Sequence, residues 1–487
     1  MMEEVNLKQK TARTLKWNTI DRLSSQVLYA ITGIVLANLL PPDAFGLVGA
    51  ILVFQAFATL FVDSGFSNAL IQKKSPTDVD YTTAFYFNLG MSVAIYVILW
   101  FCSPFIDDIF NADGRLVAPA RVMFLSFVIN ATAIVQTNRL MKRMDVKMVA
   151  VSNSIGLVVS GVVGIWLALS GKGVWAIVWQ TIALSSVKSL ILWLSSKWRP
   201  KGRFSMASLR SIFSVGVGVM VSSFLNILFQ NIYSFIIGAF YNLSKLGCYT
   251  QADKWSKMGI TSISQVVTAS FLPILSGCQD DPERFKRMMS KTNKFTAYVV
   301  FPCMLLLVVV ATPIFHILFG TKWDEAIPLF QLLALRGIFI VLTSLYNNHI
   351  LAIGAARKIV YSEVVKDGLA IVAIVATIPF GIEWLVGGQV IAAFVYFIYA
   401  VWLTSSVTGY SLAGMAKELI PYTVISVAGA VPAWLLGQVI ESPWLLLPAQ
   451  LVAFSCIYLL INYLLRSRIQ QEVLGYLLKR NQTVPSR

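Results

Sequence analysis

Apolar residues come in long runs, and the runs are spaced almost evenly from end to end. A spanning helix needs about 20 mostly apolar residues. Runs of that length fall at about 17–38, 44–69, 82–103, 117–138, 149–169, 173–194, 210–240, 249–275, 295–319, 326–350, 359–379, 384–406, 418–440 and 444–465. Polar breaks between them are short. The longest, about 276–294, is too small to hold a nucleotide-hydrolysing domain. The pattern predicts an all-α membrane protein with about 14 transmembrane helices. The first and eighth runs are the most polar, with Asp21 and Arg22 in one and Asp253, Lys254 and Lys257 in the other.

Composition excludes a soluble alternative. Of the 487 residues, 57% are hydrophobic and 13% charged. Soluble domains carry about 25% charged residues to cover their surface. The net charge of +16 would suggest nucleic acid in a soluble chain, but in a membrane protein it follows from the concentration of Lys and Arg on the cytoplasmic side. With the N-terminus cytoplasmic, 28 of the 39 Lys and Arg fall in cytoplasmic segments and 4 in outward ones. Both termini are therefore expected in the cytoplasm, and no nucleic-acid partner is expected. The five cysteines are scattered, the two histidines lack ligand neighbours, and there is no phosphate-binding loop. No metal, cofactor or catalytic residue is expected.

The two halves echo each other. A shift of 201 residues lays Gly46 on Gly247, Ser75 on Ser276 and Asp80 on Asp281, with matching hydropathy and loop lengths. The organisation expected is two pseudo-symmetric six-helix lobes, 1–205 and 206–410, with two further helices and a cytoplasmic tail in 411–487. Repeated lobes around a midplane site suit alternating access. Small residues at helical spacing, Ser152, Gly156, Ser160 and Gly164 in one run and Gly429, Ala433 and Gly437 in another, let helices approach closely.

Ionisable residues inside spans are costly and face the bundle interior. Arg22, Lys188, Arg336 and Lys254 are the candidate cations for binding a substrate. Asp63, Glu363 and Asp367 are candidates for carrying a coupling ion, H+ or Na+. Arg22 with Asp63, and Glu363 with Lys366, are also placed to form internal pairs. Gln55, Asn226, Gln230 and Asn231 are candidate polar cavity lining. A slight excess of embedded cations suits an anion, because Lys and Arg give charge-assisted hydrogen bonds to phosphate oxygens. Amide side chains suit hydroxyl-rich sugars.

Several stretches resemble a known family. They are Gly33 to Val48 (GIVLANLLPPDAFGLV), Asp63 to Gln72 (DSGFSNALIQ), Asp80 to Phe85 (DYTTAF), Leu246 to Tyr249, Phe271 to Ser276, Asp281 to Phe285 and Phe319 to Trp323. In order and spacing they are similar to the lipopolysaccharide and colanic-acid exporters, the polysaccharide-transport branch of the multidrug/oligosaccharidyl-lipid/polysaccharide (MOP) exporter superfamily. The resemblance covers about residues 10–410. It implies a V-shaped, MATE-like pair of six-helix lobes in the bacterial inner membrane. It also implies a Wzx-type flippase that moves an undecaprenyl-diphosphate-linked oligosaccharide, an O-antigen, capsule or exopolysaccharide repeat unit, across the bilayer. Ion or potential coupling, and glycan polymerase machinery as a neighbour, come with it. A cation-coupled multidrug antiporter of the same superfamily and a non-transporting scaffold for glycan assembly are the alternatives.

Overall fold

The computed structural model describes residues 2–63, 70, 73, 75–279 and 281–479; the side chains of 2–13, 15, 60–63, 211–222, 266, 269, 474 and 476–479 lie outside the description. Its described residues form helices and the turns between them. The first seven helices are α1 (Met2–Leu39), α2 (Pro42–Asp63), α3 (Asp78–Ile109), α4 (Val117–Lys142), α5 (Val146–Leu169), α6 (Trp175–Ser196) and α7 (Met206–Phe240). There follow α8 (Leu243–Ser276), α9 (Pro282–Val309), α10 (Ala311–Leu318), α11 (Ala326–Ala352), α12 (Ala356–Thr377) and α13 (Ile382–Thr408). The last three are α14 (Leu412–Leu435), α15 (Pro443–Leu464) and α16 (Arg468–Lys479).

Twelve of these helices are long and apolar enough to cross a membrane. The other two expected spans, α1 and α12, are helices of 38 and 22 residues diluted by charged and polar side chains. Large apolar side chains stay exposed at helix ends, among them Trp166, Trp384 and Trp444. Aromatic rings at such positions sit at the level of lipid headgroups. The protein is a multi-pass membrane protein.

Local chemistry sets several boundaries. Thr77 caps α3 reciprocally with Asp80: the Asp80 N–H donates to the Thr77 hydroxyl, and the Asp80 carboxylate accepts from the Thr77 N–H, which satisfies two otherwise orphaned donors. Asp281 caps α9, and Pro282 follows at its first position, where no backbone donor is needed. Asp80 and Asp281, matched by the 201-residue shift, therefore hold different cap positions. The register has slipped by three residues between α2 and α3, relative to the turn after α8.

The chain divides into two compact units, Met1–Thr250 and Gln251–Arg487. In the first, α5 packs on α1 and α6, α4 on α3 and α6, and α7 on α2 and α3. In the second, α11 packs on α9 and α13, α12 on α13, and the final pair α14 and α15 against α9 and each other. The packing of α3 on α4, α4 on α6 and α5 on α6 thus recurs as α9 on α11, α11 on α13 and α12 on α13.

The glycines of the sequence repeat meet at one crossing inside the first unit. A Cβ added to Gly46 would lie 1.8 Å from the Leu243 carbonyl oxygen, and one added to Gly247 would lie 1.9 Å from the Pro42 carbonyl oxygen. Leu243 is the counterpart of Pro42 under the same shift, so the starts of α2 and α8 touch through one self-complementary contact. The small-residue faces also pack as expected. Gly156 and Gly164 abut Leu184 and Gln180 of α6, Gly161 abuts Thr32 of α1, and Gly429 abuts Phe454 of α15.

Three stretches differ from the sequence expectation. The polar segment after residue 281 is the first half of α9. The expected span 295–319 breaks at Val310, where α9 stops and the short α10 begins. The tail holds a further helix, α16, with Ile469 buried against the α9–α11–α14 core.

Candidate substrate site

A cavity of about 340 Å³ lies within the first unit. Three helices line it, each at helical spacing. From α2 come Gln55 and Thr59; from α4, Phe127, Asn130, Ala133, Ile134, Thr137 and Asn138; from α6, Lys188 and Leu192. Intervals of three and four residues keep each set on one helix face.

Hydrogen bonding in the cavity is incomplete. The Gln55 amide nitrogen donates to Ser126 at 3.4 Å, while its Oε1 is buried without a partner. The Asn138 Nδ2 is also buried without a partner, and the residue is 5% exposed. The Thr59 and Thr137 hydroxyls donate back to the carbonyls of Gln55 and Ala133, at 2.7 and 3.0 Å. Their oxygens keep free acceptor capacity. Among the described residues, no carboxylate lines the cavity, and no hydrogen bond or ion pair engages Lys188. Buried polar groups in native proteins are nearly always satisfied, and here Gln55 and Asn138 each keep an atom open to a further partner.

Arg336 sits differently, in the second unit. It is about 14% exposed, with its Nη2 3.4 Å from Asp253 and its Nη1 donating to Gln389. Lys257 holds the other Asp253 oxygen at 2.5 Å. One carboxylate is shared between two cations, so the cluster keeps a net positive charge, and the Arg336 Nε is buried without a hydrogen-bond partner.

The remaining candidates scatter. Arg22 is exposed on α1 and does not line the cavity. Its neighbour Asp21 accepts from Asn153 of α5 at 3.1 Å. Lys254 is exposed on α8, its Nζ 5.3 Å from the Trp255 ring. Asn226 and Gln230 are exposed on α7 and bond each other; Asn231 donates to the Ile227 carbonyl at 2.8 Å. On α12, Lys366 bonds Glu363 and lies 4.0 Å from Asp367. The Asp63 side chain, and with it the expected Arg22 pair, lies outside the described residues.

Two polar residues escaped the sequence reading. Asn138 stood at the expected end of its span, yet α4 runs on to Lys142. Glu418 stood at the expected start of the next-to-last span beside Lys417, but it is 6% exposed. Asn293 of α9 donates to one of its oxygens at 2.8 Å, and the Tyr410 hydroxyl to the other at 2.6 Å. Burial, then this bond, push the Tyr410 phenol up to about 12.

Comparison with known proteins defines the class first. A solved structure of the lipid II flippase MurJ, in an inward closed conformation, matches with a TM-score of 0.74 over 93% of this chain and 99% of that one, at 14% identity. An inward-facing multidrug resistance MATE family transporter of the MOP superfamily matches with a TM-score of 0.58 over 79% and 96%, at 18% identity. The fold is the one these transporters share. Residues 35–328 match the polysaccharide biosynthesis protein family, and the chain belongs to it. Its relatives include the teichuronic acid biosynthesis protein TuaB of Bacillus subtilis, 26% identical over 85% of this chain and 87% of that protein. The lipopolysaccharide biosynthesis protein WzxC of Escherichia coli is 25% identical over 69% and 68%. The succinoglycan biosynthesis transport protein ExoT of Rhizobium meliloti is 25% identical over the same shares.

Proposed function

We propose that the protein is a flippase for a polyprenyl-diphosphate-linked oligosaccharide in the bacterial inner membrane, with both termini cytoplasmic. The observation that carries this is the first unit's cavity, where a lysine without a partner among the described residues faces unsatisfied amides. The names of the relatives, for lipopolysaccharide biosynthesis and succinoglycan transport, agree with it. Polar lining offers sugar hydroxyls what water offered them, while the polyprenyl tail remains in lipid. Two lobes, 1–205 and 206–410, rock to change the exposed face. No bond is made or broken in this cycle, so the protein is not an enzyme. Energy enters from the membrane potential or a coupling ion, H+ or Na+, with Asp63, Glu363 and Asp367 as the groups that would carry it. A glycan polymerase downstream would use the product.

The test is direct. Purified protein in liposomes holding a fluorescent polyprenyl-diphosphate oligosaccharide should bring inner-leaflet label to an outer-leaflet quencher. Lys188→Gln should slow this by about tenfold or more, the scale of a lost charge-assisted hydrogen bond. Absence of any flipping by the unmodified protein would overturn the proposal.

A further inference from the structure

We infer that the second unit holds a site for one alkali-metal cation, Na+ or K+, at Glu418, and that the ion fastens α14 to α9 and α11. The site lies apart from Asp63, Glu363 and Asp367, and it stands whether or not the protein flips a glycan. Glu418 is 6% exposed. Its Oε2 accepts from the Asn293 amide of α9 at 2.8 Å, and its Oε1 accepts from the Tyr410 hydroxyl at 2.6 Å. Both oxygens thus act as an ionised carboxylate does. Two neutral donors do not cancel a charge, and an unpaired charge away from water is costly.

The cations nearest in sequence, among the described residues, are engaged elsewhere or exposed. Lys291 pairs with Glu472 of α16 at 2.7 Å. Two residues from Asn293, it projects from the opposite face of α9. Lys294 and Lys417 are exposed. His349 of α11 is fully buried, but its Nε2 donates to the Thr292 hydroxyl at 3.1 Å, whose own proton goes to the Met289 carbonyl.

Oxygen atoms without a donor lie beside the carboxylate. Asn293 is fully buried, and the Oδ1 of the same amide that holds Glu418 has no partner. The Tyr346 hydroxyl of α11 is also buried without a partner, within range of the Glu418 charge. Tyr410, which closes the other side, is bonded by Ser290 of α9 as well. One carboxylate among neutral oxygens suits a hard cation. A single positive charge balances it, whereas a divalent ion would leave an excess charge buried.

The test follows thermal unfolding of the full chain in detergent at constant ionic strength, with choline replaced stepwise by Na+ or K+. The midpoint should rise saturably with at least one of the two, as it does when a ligand binds only the folded state. The rise should vanish in Glu418→Gln and persist in Asp367→Asn. Tyr346→Phe keeps the ring and removes the hydroxyl, so it should fold normally and weaken the apparent affinity about tenfold or more. Thallium(I), an electron-dense stand-in for an alkali ion, should give an anomalous peak among Glu418, Asn293 and Tyr346 in crystals. Where Glu418→Gln does not fold, Tyr346→Phe and the thallium peak decide. No rise over choline overturns the inference, as does a rise that survives Glu418→Gln, that is unchanged in Tyr346→Phe, or that disappears with Asp367→Asn. So does Ca2+ acting through Glu418 more strongly than either alkali ion, or a Glu418-dependent rise on acidification in choline alone, because a divalent ion or a proton would then fill the place.

Discussion

The two units treat one framework in opposite ways. Counted from the first residue of each helix, Asn130 and Thr137 of α4 correspond to Phe339 and Tyr346 of α11, and Lys188 of α6 to Val395 of α13. Thr59 of α2 corresponds to Ile260 of α8. Where the first unit lines a cavity with polar side chains, the second carries apolar or aromatic ones, of which Val395 stays exposed. Phe339 packs on Phe394 and Phe397 with ring centroids 5.2 and 5.9 Å apart, Tyr346 lies 5.9 Å from Phe397, and Ile260 is buried. Two of the second unit's cations pair within it, Arg336 with Asp253 and Lys366 with Glu363. A repeat therefore fixes helix packing and leaves the side chains at the helix crossings free to diverge. In one copy they are aromatic and apolar, and in the other they line a polar cavity.

The crossing of α2 and α8 is where the shared framework breaks most easily. Gly46→Val places a side chain into the Leu243 main chain. A backbone carbonyl cannot rotate away as a side chain does, so the cost should exceed the roughly 1–3 kcal/mol of ordinary overpacking. Gly247→Val should do the same through Pro42. Gel filtration of detergent-solubilised protein should show loss of the monodisperse peak for both. Gly90→Ala on α3, with open space around it, should elute unchanged. An intact Gly46→Val protein would mean that the crossing is not what joins these helices.

Next in size is a change that makes the first unit resemble the second. Asn130→Phe with Thr137→Tyr puts the second unit's rings at the matching cavity positions. Flipping in liposomes should fall by about tenfold or more, since the substrate's seat is filled and two polar contacts go with it. Thermal stability should hold or rise, because filling a cavity restores van der Waals contacts. Undiminished flipping would remove the cavity from the transport path.

How much of this the sequence displayed depended on whether a residue had somewhere to hide. The spans were legible because bilayer-crossing helices cannot afford polar interruptions. Lys188 reads as one of four embedded candidate cations, and its place near the cytoplasmic end of its run also allows snorkelling to the interface. The Gly46–Gly247 match was visible as three weak identities, but only coordinates show that the glycines touch one another's helices. Asn138 and Glu418 were missed because a polar residue at the margin of an apolar run looks solvated, and burial there comes from neighbouring helices. The polar half of α9 reads as a break between spans, although Asp281 and Pro282 announce a helix start. The aromatic second copy of the cavity positions was beyond reach, since Phe339 and Tyr346 in an apolar run look like any lipid-facing ring.

Arg336 gives an effect of middle size. Arg336→Leu removes one cation from Asp253, which keeps Lys257 at 2.5 Å. The loss should therefore stay near 1–3 kcal/mol, the range for a hydrogen bond to a charged group. It should stay below the 3–5 kcal/mol of a buried pair stripped of its only partner. Double-mutant analysis with Asp253→Leu should give a coupling of about 0.5–3 kcal/mol in thermal unfolding. Flipping should fall no further than stability does, since this arginine is spent inside its own unit. A transport defect with stability unchanged would make Arg336 a substrate contact and erase the contrast with Lys188.

The smallest effect sharpens what kind of pairing the second unit relies on. Lys291 of α9 meets Glu472 of α16 at 2.7 Å, but the two side chains are 55% and 47% exposed. Water competes for both charges, so Glu472→Gln should change stability by no more than about 1 kcal/mol. What remains should fade further in high salt, as exposed charges are screened within about 10 Å at 0.1 M. The helix would still be held by Ile469, buried in the α9–α11–α14 core. Limited proteolysis of the tail separates the two contributions: Glu472→Gln should cleave at the normal rate, and Ile469→Ala faster. If Glu472→Gln alone frees the tail, exposed charge pairs hold the second unit together as its embedded ones do, and burial is no longer what distinguishes them.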